Sequence, residues 1–109
     1  MHGYGEFSWN DHSKYIGMYE NDKKEGFGIF YWPNLNKIYA GYWKDGKQFG
    51  PSSLISKNGS KFYFWENENK KKKFKAIWML EKTENIPMNH IRIMKMNYYE
   101  ILEYIERKV

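Results

Sequence analysis

The chain has 109 residues, a net charge of +5 and no cysteine; it is bounded to one domain with a small appendage at most, and disulfides and thiolate metal centres are excluded. No apolar run approaches ~18 residues and nothing resembles a signal peptide, so the sequence contains no candidate helical membrane span. Aromatic residues make up 20% of the chain, and rings must therefore supply most of its cohesion.

Gly3-Tyr4-Gly5-Glu6-Phe7-Ser8-Trp9 alternates in the period of a β-strand, with Gly3, Gly5, Phe7 and Trp9 on one side. Tyr15-Ile16-Gly17-Met18-Tyr19 reads as a second strand. Glu20-Asn21-Asp22-Lys23 supplies a turn, and Gly26, Gly28, Phe30 and Trp32 share one side of a third strand. After a further turn at Trp32-Pro33-Asn34-Leu35-Asn36 the pattern returns. Tyr39-Ala40-Gly41-Tyr42-Trp43, the Asp-Gly turn in Lys44-Asp45-Gly46-Lys47, and Gly50 stand 24 residues after their counterparts Tyr15, Gly17, Tyr19 and Gly26. Asp-Gly is a strong tight-hairpin signal, and Asn and Asp tolerate left-handed backbone. The unit is a β-hairpin, repeated. A period of roughly 20–50 residues marks an array whose units bury a core only by stacking. Glycines inside the strands cost roughly 0.5–1 kcal/mol each relative to alanine, and the expected return is space for a neighbouring ring to lie flat.

The third copy is degenerate. Ser60-Lys61-Phe62-Tyr63-Phe64-Trp65 is strand-like without the central glycine, and its register against Tyr39-Ala40-Gly41 is ambiguous by one or two residues. A polar turn at Glu66-Asn67-Glu68-Asn69 and four lysines, Lys70, Lys71, Lys72 and Lys73, precede a return strand expected over 74–80. Residues 82–88 read as a connector. Residues 91–96 are ambiguous, with Ile91 and Ile93 alternating as in a short strand. Asn97 and Glu100 have capping-box spacing, and Tyr98, Ile101, Leu102, Ile105 and Val109 then fall on one stripe of a helix over about 97–109. Twelve or so residues are marginal as a free helix in water, so this one should dock on something.

Tyr39-x-Gly41-x-Trp43-Lys44-Asp45-Gly46-Lys47-x-x-Gly50 resembles the MORN (membrane occupation and recognition nexus) repeat, as does Tyr15-x-Gly17-x-Tyr19 through Gly26-x-Gly28, with Tyr19 where Trp is commonest. The resemblance implies a mainly β fold: stacked antiparallel β-hairpins in a single-layer sheet, here with a short C-terminal α-helix. The units are a half repeat at 2–14, repeats at 15–37 and 38–60, a degenerate repeat at 61–81, and the connector and helix at 82–109. Because Gly3 corresponds to Gly26, the chain opens in mid-repeat; the expectation is a piece of a longer protein, the alternative a natural half repeat. MORN arrays are accessory modules in cytoskeletal, junctional-membrane and enzyme contexts and are not catalytic themselves.

Local chemistry points the same way. His2, His12 and His90 lack partners at metal-ligand spacing. Gly3-x-Gly5 and Gly26-x-Gly28 lack the third glycine and the following helix of a nucleotide loop. The serines have no His-acid arrangement, so no enzyme activity, cofactor or metal is expected. Tyr15, Tyr19, Phe30, Trp32, Tyr39 and Trp43 form the expected protein-binding face. The helix bearing Tyr98, Ile101, Leu102 and Ile105 either closes that face as a lid or is donated to a partner, and Trp43→Ala should weaken its docking. The opposite side, with Phe27, Ile29, Tyr31, Ile38, Ala40 and Tyr42, is apolar too, and a contiguous apolar surface this large usually marks an interface. The expected function is a non-catalytic interaction or scaffold module of a larger cytoskeletal or membrane-associated protein, partnered by another protein through an apolar helix. The alternatives are a peripheral adaptor holding acidic phospholipid at Lys70, Lys71, Lys72 and Lys73, and a regulatory module of a kinase or methyltransferase. Self-association as a homodimer is a further expectation, nucleic acid is the least favoured partner, and a cytoplasmic location with cytoskeletal or membrane association follows from this reading.

Overall fold

Among the described residues seven strands follow one another in chain order, each after the first paired antiparallel with its predecessor. They are β1 (Gly3–Ser8), β2 (Lys14–Glu20), β3 (Lys23–Trp32), β4 (Lys37–Lys44), β5 (Lys47–Ser56), β6 (Gly59–Asn67) and β7 (Lys70–Phe74). Among the described residues two helices follow, α1 (Met88–Lys95) and α2 (Tyr98–Lys108). The computed structural model describes residues 2–67, 69–74 and 85–108. The fold is mainly β, one open sheet with helices near the C-terminus.

The turns form where the polar dipeptides stand. Asn21 and Asp22 have φ of 52° and 64°, and Asp45 and Gly46 of 52° and 82°. Two left-handed residues in a two-residue loop make a type I′ turn, whose twist matches that of the strands it joins. Pro33–Leu35 forms a 3-10 turn that ends on left-handed Asn36. The β6 register is fixed by Ser52↔Tyr63 and Gly50↔Trp65, which parallel Gly28↔Gly41 and Gly26↔Trp43 one unit earlier. Tyr63 and Ser52 thus stand where the complete unit has glycine.

The strand glycines divide into two kinds. A Cβ added to Gly28 would lie 2.0 Å from Tyr15 Oη, and one on Gly41 would lie 2.5 Å from Ser52 Cβ. These positions are glycine for space. Gly26 and Gly50 are different: their φ values are +78° and +80°, and a Cβ there would meet nothing closer than 3.6 Å. Both stand where the register of a hairpin shifts. The ring-packing expectation is therefore corrected at these two, where the backbone needs a left-handed residue to make the irregularity, and at Gly3, whose φ is +85° and where an added Cβ would meet nothing within 4 Å.

One face of the sheet is aliphatic. Ile16, Phe27, Ile29, Ile38, Ala40 and Ile55 are covered by Ile91, Met94, Tyr98, Ile101 and Ile105 from the two helices. A fully buried Ile contributes about 1.5–3 kcal/mol, so this cover is a large share of the stability. Helix α2 begins as its spacing predicts. Asn97 Oδ1 accepts from Glu100 N at 2.9 Å while Glu100 Oε1 accepts from Asn97 N at 2.9 Å, a reciprocal capping box. Tyr98 Oη reaches Asn36 Oδ1 at 3.4 Å, tying α2 to the turn after β3.

Two expectations are corrected and one open reading is resolved. Residues 88–95, ambiguous from 91 onward in the sequence, are helical, because Ile91 and Met94, three apart, both reach the sheet. The helices dock on the aliphatic face, opposite Trp32 and Trp43, so Trp43→Ala cannot act on their docking by direct contact. The four lysines, expected to precede the return strand, lie within β7 itself, opposite Tyr63, Phe64, Trp65 and Asn67. Of the return strand expected over 74–80, Phe74 is the last residue of β7, and 75–80 lie outside the described residues.

Candidate docking face

Period-two alternation sends every second side chain of β1 to β6 to the face away from the helices. Tyr15, Tyr19, Tyr39 and Trp43 form its buried layer. Tyr15 lies flat over Gly28, and its hydroxyl donates to Met18 O at 3.1 Å. One repeat later Tyr39 donates to Tyr42 O at 2.8 Å. Tyr15 meets Tyr19 and Trp43 edge-on at 5.1 and 5.7 Å between centroids, and Trp43 Nε1 donates to Gly28 O at 3.3 Å. Burial pushes the Tyr15 and Tyr39 hydroxyls well above their ordinary pKa, so both remain neutral donors throughout the physiological range.

The half-buried Phe7, Phe30, Trp32, Leu54 and Trp65 pack around that layer, and Trp9, 43% exposed, stacks on Phe30 at 5.4 Å. The six residues expected to form the face do come together, but they divide. Tyr15, Tyr19, Tyr39 and Trp43 are its floor, and Phe30 and Trp32 are the two that a guest can touch directly. Trp9, Leu54 and Trp65 complete the accessible surface. Trp9 was legible as the counterpart of Trp32 at an offset of 23.

Lys24 is the residue that sequence reasoning missed. Its ammonium lies 5.3–5.8 Å from the ring centroids of Trp9, Tyr15, Phe30 and Trp43. Three adjoining hollows of about 350 to 610 Å³ meet at this side chain. Burial lowers the Lys24 pKa from its ordinary value, because removing water disfavours the charged form. The signal in the sequence was its place beside Gly26, directly across from Tyr19.

The other predicted sites are placed as follows. Tyr98, Ile101 and Ile105 are buried in the core and Leu102 packs against it, so the stripe of α2 covers the protein's own sheet. Lys71 and Lys73 share the ring face with Trp65 and Tyr63, whereas Lys72 points to the other side. Lys71 Nζ lies 4.8 Å from each of the Tyr63 and Trp65 rings, and Lys70 pairs with Glu66 at 3.2 Å. Among the described residues no three His, Asp or Glu side chains cluster as a metal site, and no helix is long and apolar enough to cross a membrane.

The face is thus a packed layer of rings with half-exposed rings around it, and comparison with known proteins places the repeat that builds it. Mouse alsin is 38% identical over 65 residues, covering 56% of this chain and 4% of alsin. Human alsin is 37% identical over 65 residues with the same two shares. The inactive protein tyrosine kinase pTKL of Plasmodium falciparum (isolate 3D7) is 34% identical over 68 residues, 62% of this chain and 4% of that protein. The chain thus matches about 4% of the length of these much larger relatives. The MORN repeat pattern matches residues 1–14, 15–37 and 39–61, more than half of the chain. With its hairpin register, glycine spacing and three consecutive matches, the chain belongs to the MORN repeat family, whose units are non-catalytic interaction modules.

Proposed function

We propose that this chain is a protein-binding scaffold module whose ring face, entered at Phe30 and Trp32, receives an apolar helix from another protein. The observation that supports this reading is the unequal treatment of the two faces. Both helices are spent on the aliphatic side, and among the described residues no element covers the rings. Large half-exposed aromatic rings around a packed floor are what interface anchors look like: they bury much area at little conformational cost. A role as one segment of a larger cytoskeletal or membrane-associated protein accords with the 4% shares. A place beside a kinase domain is the second reading, favoured by the likeness to a protein named as an inactive tyrosine kinase. Acidic phospholipid is less well served, because strand alternation sends Lys71 and Lys73 to one side and Lys72 to the other.

The test is a library of displayed helical peptides panned against the purified chain. Selected peptides should be rich in apolar residues and should shift the indole NMR signals of Trp9 and Trp32. Trp32→Ala should weaken them by about tenfold or more, the usual scale for a central ring. Peptides that shift only the signals of α1 and α2, or that bind Trp32→Ala unchanged, would refute the assignment.

A further inference from the structure

The ring face carries a charge that an apolar guest cannot accommodate. Lys24 stands among four rings, and among the described residues no carboxylate pairs with it. The carboxylates around it are engaged elsewhere. Asp22, which lines one of the same hollows, has an interaction of its own. Glu25, its neighbour in β3, accepts from Asp45 N at 3.1 Å. Asp11, at the rim of the same hollow, accepts from Ser13 N at 3.0 Å and Ser13 Oγ at 2.6 Å. Water must therefore satisfy the three donors of the ammonium in the uncovered protein.

A helix laid across Phe30 and Trp32 would displace that water. The rings would still attract the cation through their faces, but they offer its N–H groups no oxygen acceptor, and a buried charge without one is strongly unfavourable. We infer that the partner helix carries one carboxylate within its apolar stripe, placed to receive Lys24, and that Lys24 is the specificity-determining residue of this face. The inference rests on the docking reading above. Position follows from the repeat: one unit later the residue at the same place is Gln48, which is neutral and stands across from Trp43. The demand for an anion is therefore absent from the second unit; in the degenerate unit the equivalent residue is Lys71, across from Trp65 and over the Tyr63 and Trp65 rings, so a helix laid across Phe30 and Trp32 needs its acid at the one point that faces Lys24. Carboxylate is preferred over a neutral amide because a charge-assisted bond is about twice as strong.

The experiment uses the same helical-peptide library against the wild-type chain and against Lys24→Gln, Lys24→Glu and Trp32→Ala, each checked for an unchanged far-ultraviolet circular dichroism spectrum. Wild type should select peptides with Asp or Glu at one fixed position between apolar residues. Changing that acid to its amide should weaken binding by about tenfold or more. Against Lys24→Gln the acidic peptide and its amide should bind equally, and Lys24→Glu should select Lys or Arg at the same position. The inference is overturned if selected peptides show no acidic preference, or if the preference survives Lys24→Gln. If the wild type selects nothing, or Trp32→Ala retains the same peptides, the docking face itself fails and this inference with it.

Discussion

Gly28→Ala tests the packing of the ring face at its tightest point. The new methyl carbon would lie 2.0 Å from Tyr15 Oη, 2.4 Å from Cζ and 2.6 Å from Cε1. Ordinary contact is about 3.5–4.0 Å, so Tyr15 would have to move by more than an ångström. It has nowhere to go: the ring is fully buried, held edge-on by Tyr19 and Trp43, and its hydroxyl is committed to Met18 O. Overpacking of this kind costs about 1–3 kcal/mol. Replacing a strand glycine by alanine returns about 0.5–1 kcal/mol of backbone entropy, and Gly28 does not have the positive φ that would oppose it. The 2.0 Å approach places the cost at the upper end of that range, so the net expectation is a loss of about 2–2.5 kcal/mol, read as a shift in the urea midpoint by tryptophan fluorescence and circular dichroism together. A double-mutant cycle isolates the cause. Tyr15→Ala alone should cost about 3–5 kcal/mol, as for other large buried rings. Adding Gly28→Ala to Tyr15→Ala should then cost nothing further, because the obstructing ring is gone. A neutral or stabilising Gly28→Ala, or strictly additive losses in the cycle, would refute the account of why glycine stands there.

Further expectations follow from the helix cover and the lysines. His90 stacks on Phe27 at 4.1 Å, and its Nδ1 lies 2.6 Å from Tyr42 Oη; burial lowers its pKa. Its contribution is present above the unfolded value of about 6.5 and is lost as pH falls through the lower folded value. The urea midpoint should fall between pH 7 and 5, and the decline should flatten in His90→Gln; an identical slope in that variant would exclude His90 as the source. Deleting residues 97–109 should uncover Ile16, Ile29, Ile38 and Ile55 and produce self-association with stronger binding of a hydrophobic dye, whereas Trp32→Ala should do neither. A monomeric deletion variant with unchanged dye binding would show that α2 does not seal the sheet. Sedimentation with vesicles containing phosphatidylserine should not exceed that with neutral vesicles; a salt-sensitive excess abolished by changing Lys70–Lys73 to glutamine would establish the lipid reading instead.

Strand order, hairpin turns and the membership of the ring face were legible in the repeat itself. Tyr15 and Tyr39, 24 residues apart, occupy equivalent places and donate to equivalent carbonyls. The choice of face for the helices was not legible, because both sides of the sheet are apolar and an amphipathic stripe fits either. The reason is one of shape. Rings on the glycine side fold down over bare backbone and fill their own space, as Tyr15 does over Gly28. Ile29, Ile38 and Ile55 cannot lie down in that way and need a second layer. The helical state of residues 88–95 was hidden for a related reason: Ile91 and Ile93 imitate a strand, and only the distant sheet selects the three-residue spacing of Ile91 and Met94. Lys24 escaped notice because its ring partners come from β2, β3, β4 and the segment just after β1, and share no local pattern.

The helical cover also sets an order of events during synthesis. Every strand pairing joins neighbours in the chain, and hairpins of this kind form in about 1–10 μs. The cover is of the opposite kind, since Ile105 packs in the same cluster as Ile16 and Ile55. At about 5–20 residues per second, the fifty residues from Ile55 to Ile105 take roughly 3–10 s to emerge. For that interval a nascent sheet holds an uncovered strip of isoleucines beside aromatic strands. An array that could otherwise zip up unit by unit is thereby made to wait for its last turn of helix, and its exposure to aggregation is governed by translation speed over residues 56–105 rather than by the folding rate of any hairpin.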